Sequence, residues 1–171
     1  STRLRAAPAV MPSILFIPVE RSADTASRAA IVAGLAVLER GEVLGIYPEG
    51  TRSPDGRLHR GKTGVARLAL ASGAPIIPVA MLGAHEAQRG RRWFPRRRPR
   101  IHALVGPPVD VQAVLEQNSG AGEATVLRAV TDAVMDSIHD LSGQERVDEY
   151  ASVVKQRLRA EADGARPDPA G

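Results

Sequence analysis

Cysteine is absent from this 171-residue chain, which excludes a disulfide scaffold, a thiolate zinc site and a cysteine nucleophile. Aromatic residues are scarce, with one Trp, two Tyr and two Phe. Of the 23 basic side chains only Lys62 and Lys155 are lysines, a usage that fits a GC-rich, bacterial genome more than any particular chemistry. No apolar run approaches the roughly 18 residues that a membrane-spanning helix needs. The chain opens at Ser1 with neither a methionine nor the apolar region of a signal peptide. The expectation is an N-terminal portion that has been removed or lies upstream.

The composition, 43% hydrophobic and 25% charged, suits a globular protein, and the length suits one domain. That domain is expected over 1–161, followed by a flexible tail over 162–171. The net charge of +4 is one local feature. Arg89 to Arg100 holds seven arginines and no acid, so the rest of the chain carries 16 basic residues against 19 acidic ones.

Strands alternate with helices. Ile14 to Val19 is a short apolar run. Ser22 and Asp24 are N-cap candidates for a helix carrying Ile31, Leu35 and Leu38, closed by Gly41. Val43 to Tyr47 reads as a strand buried on both faces, and Pro48 to Gly56 as loop. A helix over 63–72 and a strand over 76–81, irregular at Pro78, complete a βαβ unit with parallel pairing. Ile101 to Val105 reads as another strand. Val126, Val130, Val134, Ile138 and Leu141 mark an amphipathic helix, and 144–160 a weaker one. The class is α/β.

Two motifs overlap in one loop. Gly56 to Thr63 matches the P-loop pattern, but the preceding strand ends too early and no strand ends in an aspartate suited to Mg²⁺. Tyr47-Pro48-Glu49-Gly50-Thr51-Arg52-Ser53 follows a strand, where ligands of open α/β sheets bind. Gly50 permits close backbone approach, and Arg52 offers a planar fork for phosphate or carboxylate that Glu49 could orient. A turn closed by a surface ion pair is the other reading.

Gly45 to Ser53 resembles the Pro-Glu-Gly-Thr-Arg block of glycerolipid acyltransferases of the 1-acylglycerol-3-phosphate acyltransferase type. Ile17-Pro18-Val19-Glu20-Arg21 is similar to that family's upstream block, and Ala74 to Ala80 to its downstream proline-containing strand. Gly61-Lys62-Thr63-Gly64 also suits the family, which accounts for the P-loop match without a nucleotide. The likeness runs from about 14 to 141.

The resemblance implies a mixed, largely parallel sheet flanked by helices, the glycerol-3-phosphate acyltransferase-like fold, here N-terminally truncated. It also implies acyl transfer from acyl-CoA or acyl-ACP to lysophosphatidate in phospholipid synthesis, with no cofactor and no metal. By position, Arg21, Glu49, Gly50, Thr51, Arg52 and Lys62 become the phosphate site. Family members use a histidine base oriented by an aspartate five residues on. Here His59 meets Gly64, His85 Gly90, His102 Pro107 and His139 Gln144, so this chain supplies no catalytic residue and is expected to be inactive alone. Truncation explains the missing block, and a natural pseudoenzyme is the alternative. His59 and His85 read as loop residues without partners.

In the basic loop Trp93 and Phe94 sit among Arg96, Arg97 and Arg98, a composition that suits an anionic membrane surface. A solvated loop is the other reading, and no recognisable nucleic-acid fold accompanies it. The expected setting is peripheral, on the cytoplasmic face of the plasma membrane. The rival functions are a P-loop nucleotide-binding domain over Gly56–Thr63 and a non-catalytic phosphate- or lipid-binding module.

Overall fold

The computed structural model describes residues 25–85 and 100–164. In chain order the elements are α1 (Thr25–Glu39), β1 (Leu58–His59), α2 (Gly64–Ser72), β2 (Val79–Leu82) and β3 (His102–Val105). They continue with α3 (Val111–Gln117), α4 (Glu123–Ser142), β4 (Arg146–Val147) and α5 (Ala151–Gly164). The apolar run 14–19, Arg21 and most of the basic loop lie outside the described residues, as does most of the tail 162–171.

The long helix α4 organises the core. Its stepped apolar positions bury Leu127, Val130, Val134, Met135 and Ile138 along one stripe. Thr131 lies fully buried in the same stripe, where its hydroxyl donates to the Leu127 carbonyl at 2.7 Å and so carries no unmet polar cost. One end of the stripe packs on Ala66 of α2. The other packs on Leu58 and Ala80, from β1 and β2. Helix α2 meets α1 closely, because Gly34 leaves room for the Leu68 side chain. Gly73 and Gly143 end α2 and α4 in left-handed conformation, each N–H donating back into its own helix.

The strands depart from the expected sheet. Among the described residues they form two separate pairs, β1 with β4 in parallel and β2 with β3 antiparallel. The longer pair is antiparallel, in register Val79↔Val105 to Leu82↔His102, so the described pairing is not largely parallel. Gly106 and Val109 extend that pairing by donating to the carbonyls of Pro78 and Ile76. Pro78 has no N–H to give, and β2 accordingly starts one residue later. Only Ala80 of β2 is buried, while Val79 and Met81 face outward together with Ala103 and Val105 of β3.

Val43 to Tyr47 has no regular secondary structure and joins no ladder among the described residues. It is not a doubly buried strand, since Val43 is 96% exposed and Tyr47 68%. The helix expected from Gln144 begins only at Ala151. The residues before it are engaged otherwise, since Leu58 and Arg60 donate to the carbonyls of Glu145 and Glu149. Helix α3 went unread in the sequence: Asp110, just after Gly-Pro-Pro, caps it by accepting from the Ala113 N–H at 2.9 Å.

Candidate functional site

The loop from Pro48 to Thr63 is built as two successive turns tied down at several points. In the first, the Gly50 N–H donates to the Tyr47 carbonyl at 2.9 Å, and Gly50 takes a left-handed φ of 72°. A Cβ there would be strained by conformation and would also meet the Lys62 side chain at 3.0 Å. In the second, the Ser53 hydroxyl accepts from the Gly56 N–H at 2.9 Å. Asp55 accepts from the Arg57 N–H at 3.1 Å and takes the Arg57 guanidinium on Oδ2 through Nε and Nη2, at 2.8 and 2.7 Å.

His59 closes the loop from inside. Its side chain is fully buried, and Nε2 donates to Asp55 Oδ1 at 2.9 Å. The sequence reading of His59 as a loop residue without a partner is therefore corrected. The signal available was an aspartate four residues before it across an Asp-Gly turn. Partial burial pushes the Asp55 carboxyl up, but hydrogen bonds from His59 and Arg57 outweigh this and hold it well below the usual carboxylate range. The pair looks like a base and its orienter, yet a sealed ring cannot reach an acceptor hydroxyl. His85 packs against Gly56 instead of standing apart.

Glu49 is a residue of the first turn, and its Oε2 is buried. Burial raises its carboxyl to about 7, against the opposing pull of the His59 main chain and of the His59 charge. The Asp55 charge adds to the rise. Glu49 Oε2 and His59 Nδ1 are both buried without a hydrogen-bond partner among the described residues.

The two motif blocks meet in space. The Lys62 N–H donates to the Pro48 carbonyl at 2.7 Å, and the Lys62 side chain lies across Gly50. Lys62 and Arg52 are both exposed, and Thr51, directly before Arg52, is half-buried. Four of the five cradle residues beside Arg21 thus share one turn, and Lys62 reaches it from the start of α2. Arg21 lies outside the described residues, as do Trp93, Phe94, Arg96, Arg97 and Arg98. Helix α4 holds the Lys62 end in place. Arg128 Nη1 donates to the Gly61 carbonyl at 2.8 Å, and Gly61 approaches so closely that a Cβ would fall 2.9 Å from Met135 and Thr131.

A phosphate-wrapping P-loop has a different shape. Here Leu58 and His59, in the middle of the Gly56–Thr63 match, are buried and bonded into β1. The Leu58 and Arg60 N–H groups are committed to the carbonyls of Glu145 and Glu149 and do not ring an anion. Among the described residues no group of His, Asp or Glu could hold a metal ion.

Residues 2–82 match the family described as Acyltransferase. The chain is similar to that family over this stretch. Over 95 residues the chain is 40% identical to a 1-acyl-sn-glycerol-3-phosphate acyltransferase of Limnanthes alba, covering 55% of this chain and 34% of the relative. It is 36% identical over 72 residues to the protein of that name from Borreliella burgdorferi, covering 42% and 28%. With the mouse (Mus musculus) 1-acyl-sn-glycerol-3-phosphate acyltransferase alpha the identity is 29% over 106 residues, covering 61% and 36%. Against these relatives, the matched stretches span about a third of their length. No solved structure matches. The matched region contains the whole Pro48–Thr63 loop.

Proposed function

We propose that this chain is the acceptor-binding part of a lysophosphatidate acyltransferase, with the Glu49–Arg52 turn and Lys62 receiving the phosphate of the acceptor. One observation carries the reading: Lys62 lies across Gly50 of the Pro-Glu-Gly-Thr-Arg turn, its N–H on the Pro48 carbonyl, so two cations from separate blocks edge one exposed turn. Arg52 suits a phosphate because its guanidinium can donate two parallel charge-assisted hydrogen bonds, and Lys62 adds a point charge. The Gly50 backbone, free of a Cβ, allows an anion close to the turn. The names of the relatives support the acceptor class. Arg21, which lies in the same matched stretch, is the remaining member of the proposed cradle.

The reaction joins the acceptor hydroxyl to the acyl carbon of a thioester on coenzyme A or acyl carrier protein and releases the thiol. The hydroxyl proton must leave during attack, and a positioned base typically contributes about 10²- to 10⁴-fold. None of the four histidines has an aspartate five residues on, and His59 is sealed. The base therefore comes from a His-x4-Asp block that these 171 residues do not contain. The arginine-rich loop with Trp93 and Phe94 brings the enzyme to an anionic bilayer, at the cytoplasmic face of the plasma membrane, where its acceptor resides.

A thioester-release assay tests this. The 171-residue chain, given acyl-CoA or acyl-ACP and lysophosphatidate, is expected to release thiol only at the uncatalysed rate. Acceptor-dependent release above that rate would overturn the assignment of the base to another part of the protein.

A further inference from the structure

The peptide between Gly61 and Lys62 is held on both of its sides. Its carbonyl, from Gly61, accepts from Arg128 Nη1 at 2.8 Å. Its N–H, from Lys62, donates at 2.7 Å to the carbonyl of Pro48 in the Pro-Glu-Gly-Thr-Arg turn. A peptide unit is planar, so fixing the direction of its carbonyl fixes the direction of its N–H. Arg128 of α4 is thereby coupled to the turn through one rigid group, although it lies outside residues 2–82, the stretch that matches the family.

We propose that Arg128 is a positioning residue for the acceptor site, fixing the Gly61–Lys62 peptide and with it the place of the Lys62 ammonium beside Gly50. The inference rests on the phosphate-site reading given under Proposed function.

Glycine at position 61 creates the need for such a hold. A Cβ there would fall 2.9 Å from Met135 and Thr131, so the glycine lets the loop lie this close to α4. The same residue leaves the peptide that follows it with the widest choice of orientation. Arg128 removes that freedom with a charge-assisted bond from a mostly buried side chain, itself held by Asp132 at 2.9 Å. A charged donor on the carbonyl also polarises the peptide and strengthens the Lys62 N–H as a donor to Pro48. The Lys62 stem then lies over Gly50, with Cδ 3.0 Å and Nζ 3.3 Å from where a Gly50 Cβ would stand. That stem is flexible, so the place of its main chain decides how closely the ammonium keeps to the turn. Gln144 offers a comparison within the same loop. Its Nε2 donates to the Gly56 carbonyl at 2.7 Å, a second clamp of the same kind but remote from the Lys62 peptide.

The test is the affinity of the 171-residue chain for inorganic sulfate, followed by amide shifts. Arg128→Ala is expected to weaken binding roughly three- to ten-fold, and so is Arg128→Met, which keeps the bulk of the stem without the donor and preserves the fold better. Gln144→Ala removes the other clamp and should stay within about twofold of the parent. Because Arg128 acts through Lys62, adding Arg128→Met to Lys62→Ala should cost less than about twofold more. Hydrogen exchange of the Lys62 amide should quicken in Arg128→Met and not in Gln144→Ala. Parent-like sulfate affinity or an unmoved Lys62 amide in Arg128→Met would overturn the proposal. So would an undiminished loss in the Lys62→Ala background, or a Gln144→Ala loss as large as that of Arg128→Met, since the effect would then follow loop stability and not the place of Lys62. Arg52→Ala with Lys62→Ala is the separate arm. If this double variant binds sulfate as the parent does, the phosphate-site reading itself is wrong and the inference goes with it. If it binds more weakly while Arg128→Met does not, the reading stands and the inference alone fails.

Discussion

Arg128 and Gly61, 67 residues apart in sequence, are joined by a 2.8 Å hydrogen bond from the guanidinium Nη1 to the Gly61 carbonyl. Arg128 is also paired with Asp132, one helical turn on, through an Nε hydrogen bond at 3.2 Å and an Nη2 contact at 2.9 Å that is an ion pair without hydrogen-bond alignment. Helix α4 therefore presents an oriented fork to the backbone next to Lys62. Arg128→Ala should destabilise the chain by about 1–3 kcal/mol, since a half-buried carbonyl loses a charged donor. Urea unfolding measures this, with Asp132→Ala expected to cost less because it leaves the Gly61 bond in place.

Gly61 sets the distance between the loop and α4. Gly61→Ala places a methyl group within 2.9 Å of Met135 and Thr131, both fully buried. Met135 can flex but Thr131 is held by its bond to Leu127, so the loop must move. The expected cost is about 1–3 kcal/mol of stability, typical of overpacking a filled core. Sulfate affinity should fall with it, as Lys62 shifts relative to Gly50.

Two carboxyl groups in the loop give stability opposite pH dependences. Glu49 has its folded value raised to about 7, so its contribution is whole below the ordinary value of 4.5 and is lost as pH rises through about 7. Asp55 is lowered, so its contribution is present above the ordinary 3.8 and is lost as pH falls below it. Glu49→Gln should therefore gain melting temperature relative to the parent at about pH 8 and gain little at about pH 4. Asp55→Asn should lose melting temperature at neutral pH, with the deficit narrowing in acid. Thermal melts of the three proteins across this range decide both signs.

How much of this was readable in the sequence depended on how local the cause was. Helices α2 and α4 follow from apolar spacing within each segment, and Gly73 and Gly143 end them as glycines do. The Pro-Glu-Gly-Thr-Arg turn was readable because its glycine and its neighbours fix the turn by themselves. Residues 43–47 were misread since apolar composition suggested burial, whereas burial depends on which partners a strand finds. The two-residue strands β1 and β4 are too short to leave a pattern, and exist because the 145–149 carbonyls meet the loop. The role of Arg128 was invisible for the same reason, since it depends on an approach to Gly61 across 67 residues, whereas His59 left one local sign, an aspartate four residues before it across an Asp-Gly turn.

The basic loop gives a prediction of its own. Vesicles containing anionic lipid should retain the chain, and retention should weaken with added salt, because exposed charges are screened over about 8 Å at physiological ionic strength. Replacing Trp93 and Phe94 with Ala should reduce retention at every salt concentration. Flotation assays with neutral and anionic vesicles check it, and equal retention by both would remove the electrostatic role.

The central claim is that Arg52 binds the acceptor phosphate, and the most direct measurement is the KM for lysophosphatidate of Arg52→Ala and Arg52→Lys. Both are made in a protein that carries a His-x4-Asp block ahead of these residues. Loss of a hydrogen bond to a charged group costs about 1.5–3 kcal/mol, so Arg52→Ala should lose roughly ten- to a hundred-fold in kcat/KM for the acceptor. Arg52→Lys should recover only part of that, because an ammonium cannot reproduce the planar fork. The KM for the acyl thioester should stay unchanged. Unaltered acceptor KM and turnover in both variants would contradict the account and leave Arg52 as a residue of the turn alone.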